Sequence, residues 1–209
     1  FGFHGQHKDS IKNLENETDK KRLADSFLPK SSDIIIDCGS YIGLGDLSVS
    51  GFLTEGKILA IEASKDCYEL LEYNISVNNR KNIIPLNNAI WEKKCFINLN
   101  TGNAQSNSLI DGIATTKGAA RVEALSIDEI VESNKLPYVS MLSLTLNGAE
   151  VEAIKGASYT LKKFKPRICL AGWYFRNNQR IADILEPVIK EYDYDIFVGH
   201  RGNFMALPK

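Results

Sequence analysis

The chain has 209 residues, of which 44% are hydrophobic and 24% are charged, a balance typical of one globular domain with a substantial core. Lys and Arg number 25 against 26 Asp and Glu, which argues against an extended nucleic-acid-binding face, because such a face needs clustered surplus basic residues. No apolar run reaches the roughly 18 residues of a transmembrane helix. The start of the chain turns polar after its first few residues and has no apolar leader core, which predicts no secretory leader.

The first predicted element is an N-terminal helix over residues 8–28, which carries apolar side chains among charged ones and ends before Pro29. Residues 33–38 then form a largely apolar run closed by a glycine, which is typical of a strand buried on both faces. A glycine-rich turn and a short helix follow at about 42–53. We expect an N-terminal helical segment, residues 1–30, followed by one domain at residues 31–209.

Strands and helices alternate through the middle of the chain. Strands are predicted at Lys57–Ile61, Ile83–Leu86, 95–99, 122–125, 138–144 and Arg167–Ala171, and helices after Ser64 and Ser126 and over 149–155, 157–164 and 178–190. Ser64 is a candidate N-cap, and Ser126 with Glu129 fits a capping box. The alternation predicts an α/β fold with a doubly wound, mostly parallel sheet covered on both faces.

The chain ends in two short apolar segments, Tyr194–Val198 and 203–207. The four residues between them are too few for a parallel crossover, so they predict an antiparallel hairpin. We expect this hairpin to add one antiparallel edge strand to the sheet. Ligands of such sheets bind beyond the carboxyl ends of the strands, so the residues directly after each strand are the candidate site.

The turn after the first strand is rich in glycine, which lets backbone amides approach a ligand closely. A dinucleotide fingerprint counted from Gly39 would need glycines where Tyr41 and Leu44 stand, so that class is excluded. The spacing instead fits acidic-x-Gly-x-x-x-Gly, the turn of S-adenosylmethionine methyltransferases, in which a carboxylate contacts the ammonium of the cofactor tail. The residues assigned to it are Asp37, Gly39, Ser40, Tyr41 and Gly43.

The next two strand ends add matching signals. Glu62, followed by Ala63 and Ser64, closes the second strand, where an acidic side chain can accept the hydrogens of both ribose hydroxyls. Asn88 and Ala89 follow the third strand and are suited to holding an adenine edge. Three such signals after three successive strands together predict S-adenosylmethionine as the cofactor.

Five segments resemble the FkbM family of methyltransferases. Residues 36–43 resemble I-D-V-G-A-N-I-G, residues 59–64 resemble V-x-A-F-E-P, residues 88–90 resemble N-x-A-hydrophobic, residues 125–130 resemble S-L-D-x-L, and residues 143–157 resemble K-I-D-V-E-G-A-E followed by x-x-V-L-x-G-A. The resemblance covers about residues 34–170. It implies a class I, Rossmann-like methyltransferase fold and methyl transfer to a hydroxyl of a sugar, polyketide or similar small metabolite.

The sequence departs from the family at its most specific motif. Ser143, Thr145 and Asn147 stand where the family carries Lys, Asp and Glu. Thr145 and Asn147 cannot act as a general base, but they can hydrogen-bond an acceptor or the cofactor, and Ser143 is assigned to the cofactor side. The base is then expected elsewhere, with His200 as the catalytic candidate because of its ordinary pKa, and with Glu150 and Asp111 as further candidates.

Two other functions stay open at this stage. The neutral motif is also consistent with a catalytically impaired protein of the same fold that binds the cofactor or serves as a partner subunit. A nucleic-acid or protein methyltransferase is less consistent with the balanced charge and with the absence of an Asn-Pro-Pro-aromatic segment after the fourth strand. Residues 101–111 and the aromatic residues 173–175 are candidates for shaping the acceptor site or the cofactor pocket.

The remaining expectations concern metals, partners and location. Four widely spaced cysteines without a C-x-x-C pair, together with three histidines, predict reduced thiols and no metal site. We therefore expect a cytoplasmic protein whose partner is a small hydroxylated acceptor, without membrane or nucleic-acid contact, and a homodimer is one assembly left open.

Overall fold

A computed structural model describes residues 17–101, 107–110, 118–199 and 202–209. The helices in this part of the chain are α1 (Glu17–Ser26), α2 (Leu44–Ser50), α3 (Lys65–Val77), α4 (Ile127–Ser133), α5 (Glu150–Lys155), α6 (Ser158–Phe164) and α7 (Ile181–Lys190). The strands are β1 (Ile34–Cys38), β2 (Lys57–Ile61), β3 (Ile83–Leu86), β4 (Ala89–Ile90), β5 (Cys95–Thr101), β6 (Gly118–Leu125), β7 (Met141–Leu144), β8 (Arg167–Ala171), β9 (Phe175–Arg176), β10 (Gln179–Arg180), β11 (Tyr194–Val198) and β12 (Asn203–Pro208).

The main sheet has the strand order β3-β2-β1-β7-β8-β12-β11. The five strands from β3 to β8 pair in parallel, which confirms the predicted α/β fold. The order reverses between β1 and β7, so the carboxyl ends of these two strands flank a topological switch point, the usual ligand position in open sheets of this kind.

The terminal hairpin is antiparallel, as predicted, but its place in the sheet differs from the prediction. β12 pairs antiparallel with both β8 and β11, so the antiparallel strand lies inside the sheet and β11 forms the edge. Burial accounts for this order: Phe204, Met205 and Ala206 in β12 are fully buried, whereas most of β11 is only half-buried. The more apolar strand takes the interior position, where both of its faces are covered.

The core lies on both faces of the sheet because side chains alternate along a strand. In β1, Ile34 and Ile36 belong to one buried cluster and Ile35 belongs to the other. Leu23 of α1 and the following Phe27 pack into the cluster that contains Ile35. The described part of the N-terminal segment is therefore attached to the sheet, while its residues 1–16, which include residues 8–16 of the predicted helix, lie outside the described residues.

A second sheet of three strands, in the order β4-β6-β5, stands beside the main one. β6 pairs antiparallel with β5 and parallel with β4. A bridge from Asn100 to Ser108 attaches residues 107–110 to this sheet. Part of the candidate segment 101–111 thus lies against β5. Residues 102–106 and 111–117 lie outside the described residues.

The two predicted helix caps have different outcomes. At α4 the hydroxyl of Ser126 accepts the backbone N–H of Glu129 at 3.1 Å, and the Glu129 carboxylate accepts the backbone N–H of Ser126 at 2.8 Å, so the capping box is confirmed. Ser64 holds the N-cap position of α3, but its side chain makes no capping bond. Of the helices described, none has both the length and the apolar character that crossing a membrane requires.

Candidate functional site

A cavity of about 460 Å³ opens beyond the carboxyl ends of β1, β2 and β7. This size is within the range of small-molecule sites. Most of the residues predicted to bind the cofactor or to take part in the reaction line it, namely Asp37, Gly39, Ser40, Tyr41, Glu62, Ala63, Asn88, Ala89, Thr145 and Asn147. The fold therefore brings together positions that are separated by more than a hundred residues in the chain.

The glycine turn is fixed by close packing against the turn that follows β7. Gly39 has φ +90°, and a Cβ atom there would overlap the backbone carbonyl oxygen of Thr145. Gly43 has φ +78°, and a Cβ atom there would overlap the side chain of Leu71. Glycine is therefore required at both positions for conformation and for space.

Glu62 holds the glycine turn from the side. One carboxylate oxygen accepts the backbone N–H of Tyr41 at 2.9 Å, and the other accepts that of Ser64 at 2.8 Å. Burial raises the pKa of Glu62 to about 7, although these bonds oppose the shift. The carboxylate thus orders the turn and also faces the cavity as a hydrogen-bond acceptor.

Asp37 lies at the end of β1 among hydroxyl groups. Its side chain accepts a hydrogen bond from the hydroxyl of Ser40 at 3.1 Å and is also hydrogen-bonded to Ser143 on the neighbouring β7. Burial raises the pKa of Asp37, while the hydroxyl groups act in the opposite direction. The side chain of Asp46, in the first turn of α2, also lies within hydrogen-bonding reach of Asp37.

The end of β3 contributes amide side chains. Asn88 and Ala89 line the cavity. Asn87, which is exposed, donates its side-chain N–H to the backbone carbonyl of Glu62 at 2.8 Å. Asn87 therefore ties the end of β3 to the end of β2. Asn88, which lines the cavity, donates its side-chain N–H to the carboxylate of Glu123 on β6 at 3.4 Å.

The turn after β7 is held by Glu150, which is fully buried. Its two carboxylate oxygens accept the backbone N–H groups of Leu146 at 2.8 Å and Gly148 at 3.0 Å. Burial raises the pKa of Glu150 to about 7. Glu150 is not among the residues that line the cavity, so its observed role is to shape the turn that presents Thr145 and Asn147.

Asn147 is the centre of a hydrogen-bond network at this turn. Its side-chain oxygen accepts the hydroxyl of Tyr174 at 2.6 Å, and its side-chain N–H donates to the backbone carbonyl of Asn107 at 2.7 Å. The hydroxyl of Ser108 donates to the backbone carbonyl of Asn147 at 2.7 Å. Asn147 therefore joins residues 107–110 and the segment after β8 to one wall of the cavity.

Some predicted residues lie behind the cavity wall. Three of them do not line the cavity but support residues that do. Gly43 allows the close packing of the glycine turn. Ser64 donates its backbone N–H to Glu62, and the side chain of Ser143 is hydrogen-bonded to Asp37. His200 and Asp111 lie outside the described residues, so their proposed roles stay predictions.

Asp46 is a contributor to the site that the sequence analysis missed, whereas Leu109 and Tyr174 belong to the candidate segments 101–111 and 173–175. Asp46 lies one helical turn beyond the glycine turn, and its spacing from Gly43 is the signal that could have identified it. Leu109 lines the cavity, and Tyr174 reaches Asn147 from a distant segment. Within the described residues, no group of three or more His, Cys, Asp or Glu side chains could hold a metal ion.

Residues 37–196 match the methyltransferase FkbM domain, a span that contains the glycine turn, Glu62, Asn88 and the turn after β7. The chain belongs to the FkbM methyltransferase family. The matched span also includes β8 and most of β11, which extends the similarity beyond the segments noted in the sequence.

One curated relative of this FkbM-family chain is the hexuronic acid methyltransferase AglP of Haloferax volcanii. The two are 26% identical over 152 residues, which is 73% of this chain and 61% of the relative. The FkbM-family chain therefore spans less than two thirds of the length of that relative.

Solved structures share the fold. The methyltransferase FkbM of Methylobacillus flagellatus KT superposes with a TM-score of 0.63 at 14% identity, over 98% of this chain and 58% of that one. Fibrillarin of Aeropyrum pernix, solved with natively bound S-adenosyl-L-methionine, superposes with a TM-score of 0.51 at 12% identity, over 88% of this chain and 73% of that one. At these identities the similarity establishes the class I methyltransferase fold of the FkbM-family chain.

Proposed function

We propose that this protein is an S-adenosylmethionine-dependent methyltransferase that methylates a hydroxyl group of a small metabolite or sugar. The observation that carries the proposal is the convergence of Asp37, Glu62 and Asn88 on one cavity from the ends of three successive parallel strands. Family membership and the relative that binds S-adenosylmethionine support the same cofactor.

The residues present fit this cofactor at each of its parts. The backbone of the glycine turn lies close to the end of β1, where an amino-acid tail can approach, and Asp37 supplies a carboxylate for its ammonium group. Glu62 faces the cavity at the position suited to the two ribose hydroxyls, and Asn88 at the position suited to the adenine edge. When bound, the cofactor supplies an electrophilic methyl group on a sulfonium.

The chain's own contribution to the transfer is positioning. Thr145 and Asn147 line the cavity at the turn after β7 and present neutral hydrogen-bonding groups to an acceptor hydroxyl. Holding the hydroxyl oxygen in line with the methyl carbon and the sulfur supplies much of the acceleration in a displacement of this kind. The hydroxyl must also lose its proton, and His200 is our proposed acceptor of that proton.

A sugar hydroxyl is the acceptor that the comparisons favour, since the matched curated relative is a hexuronic acid methyltransferase. The cavity wall on this side combines apolar surface from Leu109 with amide surface from Asn107 and Asn147. Such surface can hydrogen-bond neutral hydroxyl groups without placing a charge beside them.

The proposal is tested first by calorimetric binding of S-adenosylhomocysteine. Glu62→Gln is expected to weaken binding by about 10- to 100-fold, because it replaces charge-assisted hydrogen bonds with weaker ones and turns a donor toward backbone N–H groups. Glu69→Gln is the matched control, since Glu69 is an exposed residue of α3 with only a long 3.8 Å ion pair to Lys65.

Methyl transfer to glycosides of hexuronic acids and neutral sugars completes the test. A methylated product supports the enzyme. Binding of S-adenosylhomocysteine without product from any acceptor would instead support a cofactor-binding partner protein. Absence of binding by the unmodified chain would contradict the proposed cofactor.

A further inference from the structure

Glu123 is a charged residue beside the cavity that the proposed cofactor contacts do not use. It lies on β6 directly before Ala124, which pairs in parallel with Ala89 of β4. Because Asn88 directly precedes Ala89, this register sets residue 123 beside residue 88. The side chain of Glu123 therefore reaches Asn88, the cavity residue assigned to the adenine edge.

Both groups that Glu123 presents to Asn88 are acceptors. The side-chain nitrogen of Asn88 lies 3.4 Å from Oε2 of Glu123 and 3.5 Å from the backbone carbonyl oxygen of the same residue. An amide can present either its N–H donors or its acceptor oxygen, and its partners decide which. Bonds of this length are weak, but a carboxylate attracts the N–H end of the amide and repels the oxygen end. The N–H end of Asn88 is therefore turned toward β6.

Glu123 is itself held in position. Its other carboxylate oxygen, Oε1, lies 3.1 Å from Nζ of Lys94, which directly precedes β5. Glu123 also belongs to the paired part of β6, opposite Phe96 of β5. The two carboxylate oxygens thus have separate partners, a cation on one side and the Asn88 amide on the other. This division keeps an acceptor, and not a donor, next to Asn88.

The orientation of the Asn88 amide decides which purine edge it can bind. With its N–H end turned toward β6, Asn88 has its side-chain oxygen left for a ligand in the cavity. An acceptor there suits the 6-amino group of adenine, which is a donor. It opposes the carbonyl group of a 6-oxopurine such as hypoxanthine, because two acceptors would then face each other without a proton between them. A site built around one hydrogen bond rejects the analogue that cannot form it.

We propose that Glu123 is a positioning residue that fixes the amide orientation of Asn88 and so makes the cavity select a 6-aminopurine over a 6-oxopurine. This inference rests on the proposed function, since it specifies how the adenine edge of the cofactor is recognised. Glu123 is not among the residues that line the cavity, so it acts through Asn88. Its effect should therefore appear in the ratio of two affinities.

The experiment compares the dissociation constants of S-adenosylhomocysteine and S-inosylhomocysteine, measured by calorimetry. The two ligands differ only at the purine edge, where a carbonyl replaces the 6-amino group and N1 gains a hydrogen. The unmodified protein is expected to bind S-adenosylhomocysteine about 10- to 100-fold more tightly. Equal affinities would overturn this inference while leaving the cofactor proposal intact.

Glu123→Gln is the variant that removes the fixed orientation, because the new amide can either accept from Asn88 or donate to it. The backbone carbonyl of residue 123 stays, so we expect a small remaining preference, with an affinity ratio of about threefold or less. A merely structural role for Glu123 would instead weaken both ligands and leave the ratio unchanged. Glu132→Gln is the matched control, an exposed acid of α4, and it should keep the full ratio.

The double variant Asn88→Asp with Glu123→Gln supplies the rescue. The new carboxylate at position 88 can only accept, so it takes a hydrogen bond from the new amide and offers its other oxygen to the 6-amino group. We expect the ratio to return to about tenfold or more. A full ratio in folded Glu123→Gln, or a reduced ratio that the folded double variant does not restore, overturns the inference. Failure of the unmodified protein to bind S-adenosylhomocysteine overturns both it and the proposed cofactor.

Discussion

Two edges of the cavity differ in their chemistry although both are built from strand ends of one sheet. The carboxylate edge, formed by Asp37, Asp46 and Glu62, places one buried acid, Asp46, and two partly buried acids around the glycine turn. The neutral edge is formed by Thr145 and Asn147, and Asn147 is held by a hydrogen bond from the hydroxyl of Tyr174. Buried acids favour a cation or strong hydrogen-bond donors, whereas the neutral edge can order a neutral acceptor without the desolvation cost of a charge.

The two edges meet where the glycine turn packs on the turn after β7, and Gly39→Ala is expected to have the largest effect of the changes considered. The new Cβ atom would overlap the Thr145 carbonyl at a position with φ +90°. We expect a loss of at least about 2 kcal/mol in the free energy of unfolding, measured by urea denaturation, and loss of S-adenosylhomocysteine binding.

Gly51→Ala is the control for this change, because Gly51 has φ −65° and a Cβ atom there meets nothing closer than 3.7 Å. It should change the free energy of unfolding by less than about 1 kcal/mol. Equal effects of the two substitutions would show that the contact between the edges does not matter for stability.

Asn147→Asp makes the neutral edge acidic with almost no change in shape. Asn147 both donates to the Asn107 carbonyl and accepts from Tyr174, and a carboxylate can only accept. In the variant a negatively charged carboxylate oxygen would face the carbonyl oxygen of Asn107 and repel it. We therefore expect a loss of about 1–3 kcal/mol in the free energy of unfolding at neutral pH, measured by urea denaturation.

The loss should shrink in acid, where protonation of the new carboxyl restores a donor. Asn78→Asp is the comparison, since Asn78 is exposed and makes a similar 2.8 Å bond to the carbonyl of Asn74. A comparable loss there would mean that the network around Asn147 has no special importance.

Tyr174→Phe should have the smallest effect on stability and the most selective effect on function. It removes the 2.6 Å bond to Asn147 and the hydrogen bond between the Tyr174 hydroxyl and the Trp173 side chain. We expect about 1 kcal/mol of destabilisation, unchanged affinity for S-adenosylhomocysteine, and a reduced kcat/KM for the acceptor. Tyr159→Phe, which removes an exposed hydroxyl bonded to Lys163, should change neither kinetic nor binding constants; weaker cofactor binding by Tyr174→Phe would contradict the separation of the two edges.

The sequence predicts the carboxylate edge better than the neutral edge because its signals are local. Gly39 and Glu62 directly follow apolar strands, so their positions at the sheet edge follow from β1 and β2 alone. The partnership of Asn147 with Tyr174 depends on how the segment after β8 packs, which no local pattern encodes. Asp46 was missed although its spacing from Gly43 is a local signal, since that spacing places it on the first turn of α2 but does not show its contact with Asp37.

The strand order shows the same limit. The short connection between β11 and β12 correctly predicts an antiparallel hairpin. It does not say which of the two strands lies next to β8. The composition of the two strands identifies the interior one. β12 contains the apolar run Phe204-Met205-Ala206, whereas β11 mixes polar and apolar residues. An interior strand is buried on both faces, so the more apolar strand lies next to β8.

The most direct test of the account is a crystal structure of the protein with S-adenosylhomocysteine. We expect the ribose hydroxyls to contact Glu62, adenine to lie against Asn88, and the tail ammonium to contact Asp37 with the sulfur directed toward Asn147. A ligand bound outside this cavity, or one whose tail points away from the carboxylate edge, would contradict it.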